Sequence, residues 1–328
     1  MEERRATKEE LLAQAEKPAH DSLKMHPFYR GKIEVVPKCV IRSIDDFAIW
    51  YTPGVAAACK EIQQDPEKSF VHTNRANLVG IVTDGTRVLG LGDIGPLAGM
   101  PVMEGKALIF KYLGGVDAFP ICLDTKDPDE FIRTVKLLQP SFGGINLEDI
   151  ESPKCFYILE RLREEASIPI WHDDQQGTAA VTVAGVINAL KVVNKKIEQA
   201  KMTMVGIGAA NVCIARMLIK AGADPKKMIV VDRKGILNRK RDDIKPTHKE
   251  KLEFCHLTNA ENREGGIEEA MRGQDVVIAL SKPGPDTIQK SWVSGMADNA
   301  IVFACSNPIP EMWPWEAKEA GARVVATG

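Results

Sequence analysis

Two pairs of adjacent carboxylates stand out in this chain: Glu148-Asp149 in FGGINLEDI and Asp173-Asp174 in WHDDQQGTA. No lysine or arginine lies within four residues of either pair in sequence. Bringing such acids together is costly unless a cation neutralises them, and hard oxygen donors of this kind suit Mg2+ or Mn2+. Three further residues have types able to do chemistry with a metal: Tyr51 opens YTPGVA, Arg87 sits in DGTRVLGLGD and Lys106 in PVMEGKA. Taken singly, each has a plainer explanation. An Asp-Asp pair before a helix caps it, a Glu-Asp pair after a strand is a solvated turn, and a lone lysine is surface. The residues alone leave a metal site and these explanations both open.

A second pattern concerns phosphate. Gly206-Ile207-Gly208-Ala209-Ala210-Asn211 follows the apolar run KMTMVG. A G-x-G turn lets the backbone come close to a pyrophosphate, and the helix behind it points its positive end at the anion. The third fingerprint position is Asn211 where Gly or Ala is usual. About twenty residues further on, MIVVD ends in Asp232, the place for a carboxylate that binds the adenosine ribose hydroxyls. Asp232 would repel a ribose phosphate while Arg233 beside it would attract one, so the expected cofactor is NAD, with NADP possible. The plain alternative is a glycine turn and a solvent-facing aspartate.

The elements that must carry these residues alternate. LVGIVTD (78–84), AFPICLD (118–124) and IPIWHDD (168–174) are short apolar runs ending in acids, separated by helical periodicity over 131–140 and 153–166. This predicts a parallel sheet with crossover helices. TAAVTVAGVINALKVV, beginning after Gly177, predicts a buried helix linking two domains. A second α/β unit follows, with strands in 201–206, 228–232, 275–280, 300–306 and 323–327, a helix from Ala210 to Ala221, and a polar surface segment over 238–265. The expected fold is α/β in two domains: an N-terminal catalytic and metal domain over 1–175, and a Rossmann-type doubly wound dinucleotide-binding domain over 176–328. Within the first of them, 1–17 predicts a capped, solvated helix, followed by a basic connector around His26 to Lys38.

Composition supports a globular chain and argues against other classes. The 328 residues carry 43 basic and 45 acidic side chains, a net charge of −2, with 44% hydrophobic residues. That balance argues against a nucleic-acid or membrane-surface partner, and no apolar stretch approaches the roughly 20 residues a spanning helix needs. The N-terminus lacks the apolar run of a signal peptide, and seven scattered cysteines without a C-x-x-C pair are expected to be reduced thiols, so the expected location is cytoplasmic.

Read together, YTPGVA, VTDGTRVLGLGDIGP, GKALIF, FGGINLEDI, HDDQQGTA, the G-x-G unit and ACSNPIPE occur in the order found in malic enzymes. The chain most resembles the compact prokaryotic type, from about residue 22 onward. The resemblance implies oxidation of malate with a nicotinamide dinucleotide, then decarboxylation through oxaloacetate that stays bound, giving pyruvate and CO2. It implies Glu148, Asp149 and Asp174 as ligands of Mg2+ or Mn2+. Lys106 would be the base on the malate hydroxyl, Asp173 its support, and Tyr51 the acid that protonates the enolate carbon. Arg87 and Asn307 would hold substrate carboxylates. Gly206, Gly208, Ala209, Ala210, Asn211, Asp232, Arg233 and Asn307 would contact the dinucleotide. It also implies a homodimer or larger homo-oligomer, to which the stretches Met25–Tyr29 and Phe47–Tyr51 could supply an interface.

The chain ends at RVVATG, where the family continues with an R-S-D-x-P-N-Q-x-N-N segment; the expectation is a form lacking the C-terminal part, with its Rossmann-type domain incomplete. Two alternatives therefore accompany the malic-enzyme expectation. One is a malolactic-type enzyme or oxaloacetate decarboxylase using the same groups. The other is an inactive dinucleotide-binding module.

Overall fold

The computed structural model describes residues 7–328. Four helices come first: the long α1 (Lys8–Tyr29), then the shorter α2 (Asp46–Trp50), α3 (Val55–Gln64) and α4 (Ser69–His72). Thr7 caps α1 in a reciprocal box with Glu10. The helix runs on through His26, whose ring bonds back to the Ser22 carbonyl at 2.9 Å, so the first part of the expected connector is helical. Neither α2 nor α3 buries a residue.

The first sheet holds β1 (Leu78–Thr83), β2 (Asp117–Cys122), β3 (Gly144–Leu147) and β4 (Ile170–His172), all parallel in the order β2-β1-β3-β4. Its crossovers are α5 (Gly95–Gly114), α6 (Pro128–Leu138) and α7 (Lys154–Glu165). Asp127 starts α6 by accepting from the Asp129 and Glu130 N–H groups, and Pro128 occupies the first turn, where a missing N–H does no harm. β1 is apolar nearly throughout, and β3 is wholly buried, because helices cover both faces of the sheet.

After β4 the chain makes a π-helical turn, Asp173–Gly177, that leads directly into α8 (Thr178–Val192). The second sheet then forms from β5 (Met202–Val205), β6 (Met228–Asp232), β7 (Gly235–Ile236), β8 (Val276–Ala279), β9 (Ile301–Ala304) and β10 (Val324–Thr327). Its order is β10-β9-β8-β5-β6-β7, parallel except for the short β7. The order reverses beside β5, the switch point where doubly wound sheets bind their ligands. Helices α9 (Ala209–Lys220), α10 (Lys249–Leu257), α11 (Ile267–Met271), α12 (Lys290–Ser294) and α13 (Pro314–Glu319) complete this half. One hydrophobic core is continuous from Val82 and Leu147, through Val183 and Val186 of α8, to Met204 and Ile278.

Two expectations need correction. α8 is buried along one face only, because its Val181 and Val192 are exposed. The segment 238–265 is not purely surface, since Phe254 and Cys255 of α10 enter the core.

Candidate active site

The acids converge at the carboxyl ends of β3 and β4. Glu148 and Asp149 follow β3 directly, and both are only 5% exposed. Asp174 sits in the π-helical turn behind β4. Glu148, Asp149 and Asp174 each offer an oxygen, and these atoms lie within 4.8 Å of one another. Asp174 Oδ2 accepts from the Asp149 N–H at 2.9 Å. Asn146 donates to Glu148 Oε2 at 2.8 Å. Asp149 Oδ2 is buried with no hydrogen-bond partner. A buried carboxyl oxygen without a donor, in an all-oxygen set, fits a hard divalent cation. The turn is thus no solvated one.

The cluster also has a basic partner that sequence distance concealed. Lys106, midway along α5, places Nζ 3.1 Å from Glu148 Oε1 and 2.7 Å from Asp173 Oδ2. Gly177 makes room for this arrangement: a Cβ there would lie 2.1 Å from Asp173 Oδ1. Burial opposes the Lys106 charge, but Glu148 and Asp173 outweigh it and hold the amine above its ordinary value. The carboxylates shift too. Burial, then repulsion from Asp174, pushes Asp149 up to about 7 and raises Glu148 in the same direction. His172, wholly buried, accepts from the Gln175 N–H through Nδ1 at 3.3 Å and sets Nε2 3.9 Å from Asp174. Burial lowers its pKa, which favours a neutral ring.

Other expected residues are placed differently. Arg87 is exposed; its backbone N–H donates to the Asp149 carbonyl at 3.0 Å, which keeps its turn beside the acids. Asn307 is exposed after β9, near the end of β10. Tyr51, just past α2, is 71% exposed, and its hydroxyl is bonded neither to Lys106 nor to any of the acids. The structure therefore gathers Lys106, Asp173, Glu148, Asp149 and Asp174, and leaves Tyr51 outside that hydrogen-bonded group.

The dinucleotide turn lies between β5 and α9. Gly206 has φ +97°, and a Cβ would sit 2.5 Å from the Leu280 carbonyl oxygen, so only glycine fits. Gly208 has nothing within 4 Å of its Cβ position. No side chain caps α9, so no capping side chain occupies the first N–H groups of this helix. Asn211 explains its own departure from the usual fingerprint: buried, it donates Nδ2 to the Val205 and Gly206 carbonyls at 3.0 Å each and so braces the turn. Ala209 and Ala210 open the helix, and Arg233 is exposed. Asp232 is not a free acceptor. Arg241 grips both its oxygens at 3.1 Å, and Lys251 lies 3.1 Å from Oδ2. Burial works against its charge, but Arg241, the Lys234 N–H and Lys251 keep it below the usual carboxylate range. Arg241 and Lys251 were missed in sequence because they come from the polar segment and α10; only the surplus of basic residues after Asp232 hinted at them.

Comparison with known proteins matches both halves. Residues 30–163 fit the family described as "Malic enzyme, N-terminal domain" and residues 175–328 fit "Malic enzyme, NAD binding domain". The chain is 50% identical to an NAD-dependent malic enzyme of Geobacillus stearothermophilus over 91% of its own length and 61% of that protein's. It is 45% identical to a bifunctional malic/malolactic enzyme of Bacillus subtilis, over 94% of this chain and 74% of that one. Among solved structures, an Entamoeba histolytica malic enzyme superposes with a TM-score of 0.91 at 46% identity, covering 99% of this chain and 69% of the other. The chain thus spans about three fifths of the Geobacillus relative. With the acid cluster on one sheet, the glycine turn on the next and both halves matched in order, the chain belongs to the malic enzyme family.

Proposed function

We propose that the protein oxidises malate to pyruvate and CO2 while reducing NAD, with NADP as a possible second cofactor, and that Glu148, Asp149 and Asp174 hold Mg2+ or Mn2+ for the purpose. The observation that carries this reading is Lys106 Nζ held against Glu148 and Asp173 at the edge of the three-acid cluster. The cation, when bound, supplies charge stabilisation for an enolate and offsets the negative charge of the acids. The dinucleotide, when bound at the Gly206–Asn211 turn, accepts the hydride.

The chain's own residues do the rest. Lys106 takes the hydroxyl proton at Nζ, and Asp173 keeps the amine aimed. In the structure the acids raise the Lys106 pKa; neutralising them brings it toward the working range of a base. Arg87 and Asn307 hold the substrate carboxylates, Arg87 through its two-pronged guanidinium. Tyr51 gives its phenolic proton to the carbon that loses CO2. One proton leaves the hydroxyl and one arrives at the methyl carbon, so no proton is released overall. We assign these metal and base roles to residues 1–175 and dinucleotide binding to 176–328.

We further propose that the protein works as a homodimer or larger homo-oligomer in the cytoplasm. Phe28, Tyr29, Phe47, Ile49 and Trp50 are all exposed, more apolar surface than a monomer usually leaves uncovered. All seven cysteines are unpaired, in keeping with a reducing compartment. Among the described residues no helix is long and apolar enough to cross a membrane.

The test follows reduced cofactor by absorbance with malate, Mn2+ and NAD or NADP, with pyruvate and lactate assayed in parallel. Equal amounts of NADH and pyruvate, abolished by a chelator, support the proposal. Lactate without net NADH would replace it with a malolactic reaction, the second activity in the name of the Bacillus subtilis relative. Dinucleotide binding without turnover would leave a binding module.

A further inference from the structure

A buried ion pair stands behind the acid cluster and takes no part in the chemistry above. Asp84 follows β1 and is 2% exposed. Its Oδ1 accepts from the Thr86 N–H at 3.1 Å and from the Thr86 hydroxyl at 2.6 Å. Its Oδ2 lies 2.7 Å from Nζ of Lys154, the first residue of α7, whose side chain is 13% exposed. Thr86 Oγ1 in turn accepts from the Glu151 N–H at 3.0 Å. One residue on, the Arg87 N–H donates to the Asp149 carbonyl at 3.0 Å. Two turns are therefore stitched together. One carries Arg87, and the other carries Glu148 and Asp149. Asp149 itself holds a left-handed φ of 55°, which its turn must sustain. Neither Asp84 nor Lys154 is hydrogen-bonded to Glu148, Asp149, Asp174 or Lys106.

We propose that Asp84 and Lys154 are positioning residues: their ion pair fixes the spacing between the Arg87 turn and the Glu148-Asp149 turn, and so sets both cation affinity and the grip on the substrate carboxylate. The inference rests on the metal and substrate roles given under Proposed function. An ion pair in this place is an expensive way to pack α7, because apolar residues of similar volume would cost less desolvation. What it adds is a defined distance between two main-chain segments, enforced by charge at one end and by the paired Thr86 bonds at the other.

The test measures Mn2+ binding to the full chain by electron paramagnetic resonance, with folding checked by circular dichroism. Lys154→Met is expected to weaken Mn2+ binding about ten- to hundredfold, the range found when groups that orient metal ligands are removed. Lys154→Arg, which keeps a cation beside Asp84, should restore most of it. In turnover, Lys154→Met should raise the malate KM more than it lowers kcat. Lys195→Met is the control, since Lys195 makes a comparable pair with Asp275 at 2.6 Å in the other half of the molecule. It should lower the melting temperature and leave Mn2+ affinity unchanged. Folded Lys154→Met that binds Mn2+ as the wild type does would overturn the inference. Should Lys154→Met fail to fold, Asp84→Asn, which weakens the pair while keeping its shape, gives the same reading. A wild-type chain that takes up no Mn2+ would overturn the metal site itself, a separate and earlier failure.

Discussion

Lys106 carries the sharpest expectation at the scale of single residues. Lys106→Ala should cut malate oxidation by orders of magnitude and leave dinucleotide binding intact, as titration with reduced cofactor would show. Tyr51→Phe should slow pyruvate formation more than it disturbs Mn2+ binding; an unchanged rate would remove Tyr51 from the acid role. The acids predict a dependence on pH. Asp149, raised to about 7, keeps a proton in the folded state that the unfolded chain gives up near its ordinary value of 3.8, and Glu148 is raised likewise. The unfolded state then binds fewer protons, so stability falls as pH climbs from about 4 to about 7. With chelator present, melting temperature should drop by several degrees over that window. Saturating Mn2+, which binds the ionised carboxylates, should cancel the drop, and Asp149→Asn should flatten it. A chelated wild type whose melting curve ignores pH would contradict the shifts. Little of this was legible beforehand. The acids and Lys106 could be named, but Lys106 and Asp173 are 67 residues apart, and only the fold makes them neighbours.

Elements were easier to read where burial is two-sided. β1, β5, β6, β8 and β9 are runs of apolar residues because helices cover both faces, and a run of that kind survives without any partner in view. β3 was harder, since Gly144 and Asn146 dilute its four residues. α5 carries Gly95, Gly99, Gly105 and Gly114 with Pro101 inside, a composition with poor intrinsic helicity, so tertiary packing on β1 and β2 sets its course. The π-helical turn had no sequence signal at all. Yet it is the element on which the site depends, because it turns Asp173 toward Lys106 and Asp174 toward Asp149. Gly177→Ala tests it. The new methyl group would collide with the Asp173 carboxylate rather than with backbone, so stability should change by no more than about 1 kcal/mol. Turnover should fall up to about 100-fold, the scale of loss for a catalytic group moved by an ångström. Equal activity would show that Asp173 does not need its present position.

At the scale of the whole molecule, apolar surface is unevenly spent. The segment before β1 exposes Leu23, Phe28, Ile44 and Trp50, and α5 exposes Leu97, Tyr112 and Leu113. Two uncovered apolar regions on one chain are what a two-fold pair of copies can bury against each other. Sedimentation should therefore give at least twice the monomer mass, and Phe28→Asp combined with Trp50→Asp should return it toward 36.0 kDa. A wild-type monomer at micromolar concentration would sink that assembly. The broad architecture was legible in the sequence: two α/β halves joined by a helix, with the glycine turn between a strand and a helix. The grip of Arg241 and Lys251 on Asp232 was not, since their segment shows no periodicity that would aim it at β6.

The turn from Asp173 to Gly177 packs against α9, the helix that starts at the dinucleotide turn. One short stretch of chain would therefore belong to both proposed binding sites. If a cation that settles Asp174 also orders the helix behind the glycines, the coupling between the two proposed sites has no direction. If Mn2+ tightens NAD by some factor, NAD must tighten Mn2+ by the same factor. A single coupling constant, measured twice from opposite ends, would then describe how the two halves of this protein sense each other.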